Sequence, residues 1–289
     1  MQYEGTVIRP PSEWNSIILQ VTVGCSHNRC TFCGAYRDKQ FRIKKQAEID
    51  QDLEFAARYC KRQRTVFLAD GDALVIPHQQ MVLLFEKIRR QLPWVRRISL
   101  YANCRDILAR SDEQLAQLKE LGLGRIYMGL ESGHDPTLAA VEKGANAAEM
   151  IRAGRRVRRA GLFLSVSCLL GLAGRQHSLA HAAATAEILR AMEPSQIAIL
   201  TLMILDNTEL AARQKTGGFI LPDRQELFAE LRALVAGLDG IRAQFQANHA
   251  SNYFTLDGRL PRDKNKFIAI IDQACSGEML LKAENQRAL

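Results

Sequence analysis

Ile17-Ile18-Leu19-Gln20-Val21-Thr22-Val23-Gly24-Cys25-Ser26-His27-Asn28-Arg29-Cys30-Thr31-Phe32-Cys33-Gly34 is the stretch that decides how the rest of the chain is read. Ile17–Val23 is apolar and largely β-branched, a strand that Gly24 ends. Three thiols follow within nine residues at C-x4-C-x2-C spacing. A loop leaving a strand end can bring such thiols round to one metal centre. Three thiolates leave one iron of a cubane cluster without a protein ligand, an open position that catalysis needs. With His27 as fourth ligand the same residues would suit a Cys3His zinc site, but no second Cys or His pair follows at finger spacing.

Five more runs resemble the first: Thr65–Ala69, Ile98–Tyr101, Arg125–Leu130, Leu162–Leu170 and Gln196–Ile204. Between them lie stretches with helical period: Glu48–Cys60, His78–Gln91, Asp112–Leu121, Ala147–Ala160 and Leu179–Met192. This alternation predicts βαβ units with a parallel sheet, hence an α/β fold, a partial (β/α)6 TIM-type barrel over residues 1–210. Ser111 with Gln114 reads as a capping box, and Gly122 and Gly161 as left-handed helix ends. After Leu210 the character changes. Residues 211–289 read as a C-terminal helical and loop extension covering the substrate side, with helices at Arg224–Leu238 and Asp263–Cys275 and a polar loop at Gln246–Pro261. Ligands of parallel α/β folds bind beyond the carboxyl ends of the strands. Here those ends are Gly24–Cys25, Asp70-Gly71-Asp72, Asn103, Glu131-Ser132-Gly133, Gly171 and Asp206–Asn207.

The composition is that of a soluble globular chain, with 289 residues, 47% of them hydrophobic and 24% charged. The longest apolar stretch, Gly161–Gly174, is too short to span a bilayer, and Met1–Pro11 has no apolar signal-peptide core. The expectation is a cytoplasmic protein with no membrane partner. The seven cysteines are odd in number and four are scattered, as core residues are and a disulfide framework is not. A net charge of +8 permits an anionic partner such as a nucleotide, a porphyrin carboxylate or RNA. Arg152, Arg155, Arg156 and Arg159 form one helical stripe, read as a solvated face.

A three-cysteine loop after the first strand, with Phe32 just before its last cysteine, resembles the radical S-adenosylmethionine (SAM) superfamily. The usual spacing there is C-x3-C-x2-C, one residue shorter in the first gap. The resemblance runs over residues 17–210 and is closest to the branch of oxygen-independent coproporphyrinogen oxidase and the elongator catalytic subunit. It implies a [4Fe–4S] cluster on Cys25, Cys30 and Cys33, and SAM as the second cofactor. Asp70-Gly71-Asp72 stands where that branch has Gly-Gly-Glu, so Asp72 would meet the methionine ammonium. Gly129-Leu130-Glu131-Ser132 matches the Gly-x-Glu-Ser segment. Lys143 falls where a basic residue pairs with the SAM carboxylate. Ser167 and Leu169 match positions touching ribose and adenine, and Gly171-Leu172-Ala173-Gly174 resembles a Gly-Leu-Pro-Gly turn. Phe32, Asn103 and Ser132 complete the expected cofactor surroundings.

The resemblance implies reductive cleavage of SAM to a 5′-deoxyadenosyl radical that abstracts hydrogen from a substrate, and an external electron donor of flavodoxin or ferredoxin type. Glu131 is the leading catalytic candidate, since a carboxylate ending a buried strand needs a partner or a ligand. His249, in the polar stretch Phe245–Tyr253, suits proton transfer. A small molecule is the expected substrate, with RNA open. The alternatives are a non-catalytic cluster- or haem-binding protein on the same fold, or a zinc-stabilised nucleic-acid-binding module.

Overall fold

Strand and helix alternate along the chain as the apolar runs predict, and Thr65–Ala69 and His78–Gln91 fall within the predicted bounds. A computed structural model describes residues 1–288, which divide into two compact units. The first comprises Met1–Asn28, Ala35–Met128 and Arg156–Leu164. Its elements are β1 (Ile17–Gln20), β2 (Thr22–Val23), β3 (Arg42–Ile43), α1 (Gln46–Tyr59), β4 (Thr65–Ala69), α2 (His78–Gln91), β5 (Arg97–Tyr101), α3 (Cys104–Leu108), α4 (Asp112–Glu120) and most of β6 (Leu123–Glu131). β1, β4, β5 and β6 pair in that order, all parallel. The predicted single strand Ile17–Val23 is two. β1 pairs with β4, and β2 turns aside to pair antiparallel with β3. Apolar residues at helical spacing face inward, Ile49, Leu53 and Ala56 on α1, and Met81, Leu84, Phe85 and Ile88 on α2.

The second unit comprises Arg29–Gly34, Gly129–Arg155 and Ser165–Leu289. It carries α5 (Asp135–Ala140), most of α6 (Ala147–Arg159) and β7 (Phe163–Leu170), then α7 (Gly174–Met192), β8 (Gln196–Thr201), α8 (Glu209–Lys215), α9 (Arg224–Ala236), β9 (Gln244–Ala247), β10 (Leu256–Arg259) and α10 (Lys264–Ser276). β7, β8 and β9 are parallel, and β10 runs antiparallel to β9. The segment Gln246–Pro261, expected as a loop, thus includes the end of one strand and the whole of another. Phe245, Ala247 and Leu256 are buried and anchor this short pair.

The predicted helix ends are found. Ser111 Oγ accepts from Gln114 N at 3.2 Å and the Gln114 amide oxygen accepts from Ser111 N at 3.1 Å. Gly122 and Gly161 have φ of +112° and +68°. The arginine stripe of α6 is not simply solvated. Arg155 donates to the Ala191 carbonyl at 2.7 Å, and Arg156 donates to those of Leu108 and Arg110 at 2.8 and 2.7 Å. Among the described residues no helix is long and apolar enough to cross a membrane.

Candidate functional site

The first unit holds the opening half of the cysteine loop. Cys25 follows Gly24, whose N–H donates to Asp70 Oδ2 at 3.1 Å. Within the first gap Asn28 adopts φ +41°, a conformation that asparagine tolerates better than most residues. The Asn28 side chain donates to the Tyr36 carbonyl at 2.8 Å. Gly71 lies against this loop. A Cβ there would sit 2.7 Å from Tyr36 Cε2 and 3.1 Å from Cys25 Cβ.

The acids after β4 face inward. Asp70 Oδ2 accepts from Gln20 Nε2 at 3.0 Å and from Lys39 Nζ at 3.1 Å, while its buried Oδ1 has no hydrogen-bond partner among the described residues. Asp72 is wholly buried. It accepts from Ser26 Oγ at 2.6 Å and from Asn103 Nδ2 at 3.0 Å, and Asn103 Nδ2 also lies 3.8 Å from Cys25 Sγ. Burial, reinforced by Asp106 beside it, pushes the Asp72 carboxyl up to about 8. Cys25, Asp72 and Asn103 are thus brought together, as the sequence suggests.

The closing half of the loop belongs to the second unit. Thr31 N–H donates to the Val141 carbonyl at 3.0 Å, and Leu210 N–H donates to the Thr31 carbonyl at 2.9 Å. The Asn207 side chain donates to the Gly34 carbonyl at 3.1 Å. Phe32 packs on an apolar cluster that includes Val141, Leu169, Leu172 and Leu210. Beside these anchors lies a cavity of about 600 Å3, bordered by Val141, Leu172, Leu210, Phe219, His177 and Arg213. The turns that hold Cys30 and Cys33 are therefore fixed by residues from α5 onward.

Glu131 ends β6 with φ +62°, a left-handed backbone that costs a non-glycine residue roughly 1–3 kcal/mol and persists only where the surroundings enforce it. Ser132 N–H closes the turn on the Leu130 carbonyl at 2.8 Å. The turn is clamped to α7. Gly133 N–H donates to Thr185 Oγ1 at 2.9 Å, and a Cβ on Gly133 would stand 2.4 Å from the Ala184 carbonyl oxygen. So held, Glu131 Oε1 accepts from Lys143 Nζ at 3.0 Å, and their side chains are 16% and 12% exposed. Gly129 makes room, because a Cβ there would lie 2.1 Å from Glu131 Oε1. Ser167 is half-buried on β7, and Leu169 shares its face at period two.

His249 is placed differently. Its Nδ1 pairs with Ser251 Oγ at 2.9 Å and accepts from Ser251 N at 3.1 Å, and burial lowers its pKa. Ser251 and Asn252 in turn bind the backbone or side chain of Thr201 on β8. Sequence reading missed a buried group beneath Ser132. Ser132 Oγ lies 2.7 Å from His181 Nδ1, and His181 Nε2 lies 3.4 Å from Glu230 Oε1. Its signal was the stripe Ser178, His181 and Thr185 on α7, polar side chains at the spacing of a buried face.

Among the described residues no three His, Cys, Asp or Glu side chains converge closely enough to hold a metal ion. The donor chemistry nevertheless fits an iron–sulfur cluster with an open iron: three thiols, half-buried, in a loop whose neighbour Gly71 leaves room beside Cys25.

A family model described as the Radical SAM superfamily matches residues 19–189. No curated protein matches the chain. Among solved structures, coproporphyrinogen III oxidase (HemN) from Escherichia coli, a radical SAM enzyme, aligns at 18% identity with a TM-score of 0.58, covering 77% of this chain and 52% of that one. Methylornithine synthase (PylB) aligns at 13% with a TM-score of 0.54, covering 94% and 85%. The cobalamin-dependent S-adenosylmethionine radical enzyme OxsB aligns at 15% with a TM-score of 0.59, covering 92% and 46%. The chain spans about half the length of HemN and OxsB. At these identities the likeness shows the fold, a partial, mostly parallel barrel-type sheet flanked by helices, and singles out no branch. With the family model matched over more than half of its length, the chain belongs to the radical SAM superfamily of enzymes.

Proposed function

We propose that the chain binds one [4Fe–4S] cluster through Cys25, Cys30 and Cys33 and cleaves SAM reductively to abstract hydrogen from a small-molecule substrate. The observation that carries this reading is that the family match, residues 19–189, encloses all three thiols together with Asp70–Asp72, Asn103, Glu131, Lys143, Ser167 and Leu169. Cys25, Cys30 and Cys33 would hold the cluster, which when bound would supply the electron for reductive SAM cleavage. The chain's own residues do the rest. Lys143 neutralises Glu131 and offers Nζ to the methionyl carboxylate. Asp72 carries its proton at neutral pH and yields it when an ammonium takes its place beside Asp106. Phe32 and Leu169, in one apolar cluster, shield the adenosyl end from water, and Ser167 reaches the ribose. His249 is the candidate for proton transfer to or from the substrate.

A flavodoxin- or ferredoxin-type protein is the proposed electron donor, and cytoplasm the proposed location. A small molecule is favoured over RNA because Arg155 and Arg156, the centre of the basic stripe, are engaged by backbone carbonyls. Anaerobic reconstitution tests the whole reading. About four irons per chain, with 5′-deoxyadenosine formed from SAM and dithionite and lost in Cys30→Ala, is the expected result. One zinc, no iron and intact SAM would overturn it.

A further inference from the structure

The buried group beneath Ser132 has no part in the chemistry above, and burial rules out a nucleophile: Ser132, His181 and Glu230 are all 0% exposed. Their polar atoms nevertheless form one buried series. Ser132 Oγ accepts from His134 N–H at 3.0 Å and shares a hydrogen bond with His181 Nδ1 at 2.7 Å. On the far side of the ring, His181 Nε2 lies 3.4 Å from Glu230 Oε1, close to it but without hydrogen-bond geometry. Burial lowers the His181 pKa to about 4, so the ring is neutral. Glu230 is surrounded by donors. Gly171 N–H donates to its Oε1 at 2.7 Å and Ser178 Oγ to its Oε2. One carboxylate on α9 therefore accepts hydrogen bonds from the turn after β7 and from α7, and stands against the His181 ring that holds the turn after β6.

We infer that His181, oriented from behind by Glu230, is a positioning residue for Glu131. The left-handed backbone of Glu131 needs its next residue fixed, and Ser132 is fixed through its hydroxyl to His181. Without that partner, the buried Ser132 hydroxyl loses a hydrogen bond, and the turn relaxes from the conformation that delivers the Glu131 carboxylate to Lys143. The inference also gives the segment after residue 210 a role inside the fold, because Glu230 stands behind the His181 ring. It rests on the proposed use of Glu131 only where SAM binding is the readout.

The test compares His181→Leu, His181→Asn and Glu230→Gln in the full chain, anaerobically reconstituted. Two quantities are measured: amide hydrogen exchange and the Kd for SAM. His181→Leu is expected to speed exchange over residues 129–134 at least tenfold and to raise the Kd about tenfold, with iron per chain unchanged. His181→Asn, whose side-chain oxygen stands where Nδ1 was, restores both most of the way. Glu230→Gln puts an amide donor against the donors it faces and speeds exchange at both 129–134 and 171–174. If His181→Leu does not fold, Glu230→Gln alone decides. Unchanged exchange at 129–134 in a folded variant, or an asparagine variant no better than leucine, overturns the inference. If the wild type itself binds no SAM, the proposed function fails, while the exchange data still judge the positioning role.

Discussion

At the end of β4 the carboxylates of Asp70 and Asp72 are wholly buried and turned back on the chain, whereas at the end of β6 the Glu131 carboxylate is partly exposed and held out on a left-handed turn. Both strand ends read alike in sequence, as an acid flanked by glycine. They are built by different means. The first is stabilised by polar satisfaction, from Ser26, Asn103, Gln20 and Lys39, and by a proton on Asp72. The second is stabilised by a steric clamp on α7 and by the hydrogen bonds of Ser132 and Gly133. A polar end answers to changes of charge, and a clamped end to changes of volume.

The sharpest way to break this comparison is to add one methyl group at each end. In Gly133→Ala the new Cβ meets the backbone of Ala184 and Thr185, at 2.4 and 2.6 Å, so helix and turn must separate. The expected loss is about 3 kcal/mol in urea unfolding, or failure to fold. In Gly71→Ala the Cβ meets the side chains of Tyr36 and Cys25, and the Tyr36 ring can move. There the loss is about 1 kcal/mol, but displacement of Cys25 lowers the iron incorporated on reconstitution. A costlier Gly71→Ala would show that the β4 end is clamped as well.

Isosteric amides sharpen the comparison next. Glu131→Gln removes one charge of a partly exposed pair, which changes stability by about 1 kcal/mol or less. Its effect falls on SAM, whose Kd should rise at least about tenfold, equivalent to about 1.4 kcal/mol, because Lys143 loses the partner that aims it. Asp72→Asn removes the proton uptake that folding requires of a carboxyl whose pKa burial has raised, so unfolding at pH 7 should shift in the stabilising direction. Equilibrium dialysis with SAM and urea melts of both variants separate the two roles. Asp72→Asn should weaken SAM binding too, because an amide cannot pair with the methionine ammonium, and unchanged affinity there would remove Asp72 from the cofactor.

The fold was legible because periodicity reports burial. β4 and α2 were read to the residue, since each buries one regular face. β9 and β10 were not, because four-residue strands rich in Gln and Asp carry too few apolar positions to show a period. α7 begins at Gly174 rather than Leu179, since its first turn is polar and a third of its buried face is Ser, His and Thr. The three cysteines and Glu131 were legible from spacing and from the resemblance. The dependence of Glu131 on His181 and Glu230 was not, because it joins residues 49 or more positions apart through side chains that look unremarkable in sequence.

The smallest effect lies in pH. Burial raises Asp72 to about 8 from 3.8 and Glu230 to about 7 from 4.5. A carboxyl raised in the folded chain holds its proton there more tightly than in the unfolded chain. The stability this gives is complete below the unfolded pKa and is lost as pH rises through the folded one. The chain should therefore weaken from pH 7 to pH 9. The Asp72 share is about 1 kcal/mol and the Glu230 share less than half of that, because Glu230 is already half ionised at pH 7. Asp72→Asn should flatten the larger part of the slope and Glu230→Gln the smaller. Urea midpoints of the apoprotein at pH 7, 8 and 9 measure both. A slope that survives both buried-acid variants would mean that these carboxylates are ionised in the folded chain. The β4 end would then be a charged cradle like that of β6, and the distinction between them would rest on exposure alone.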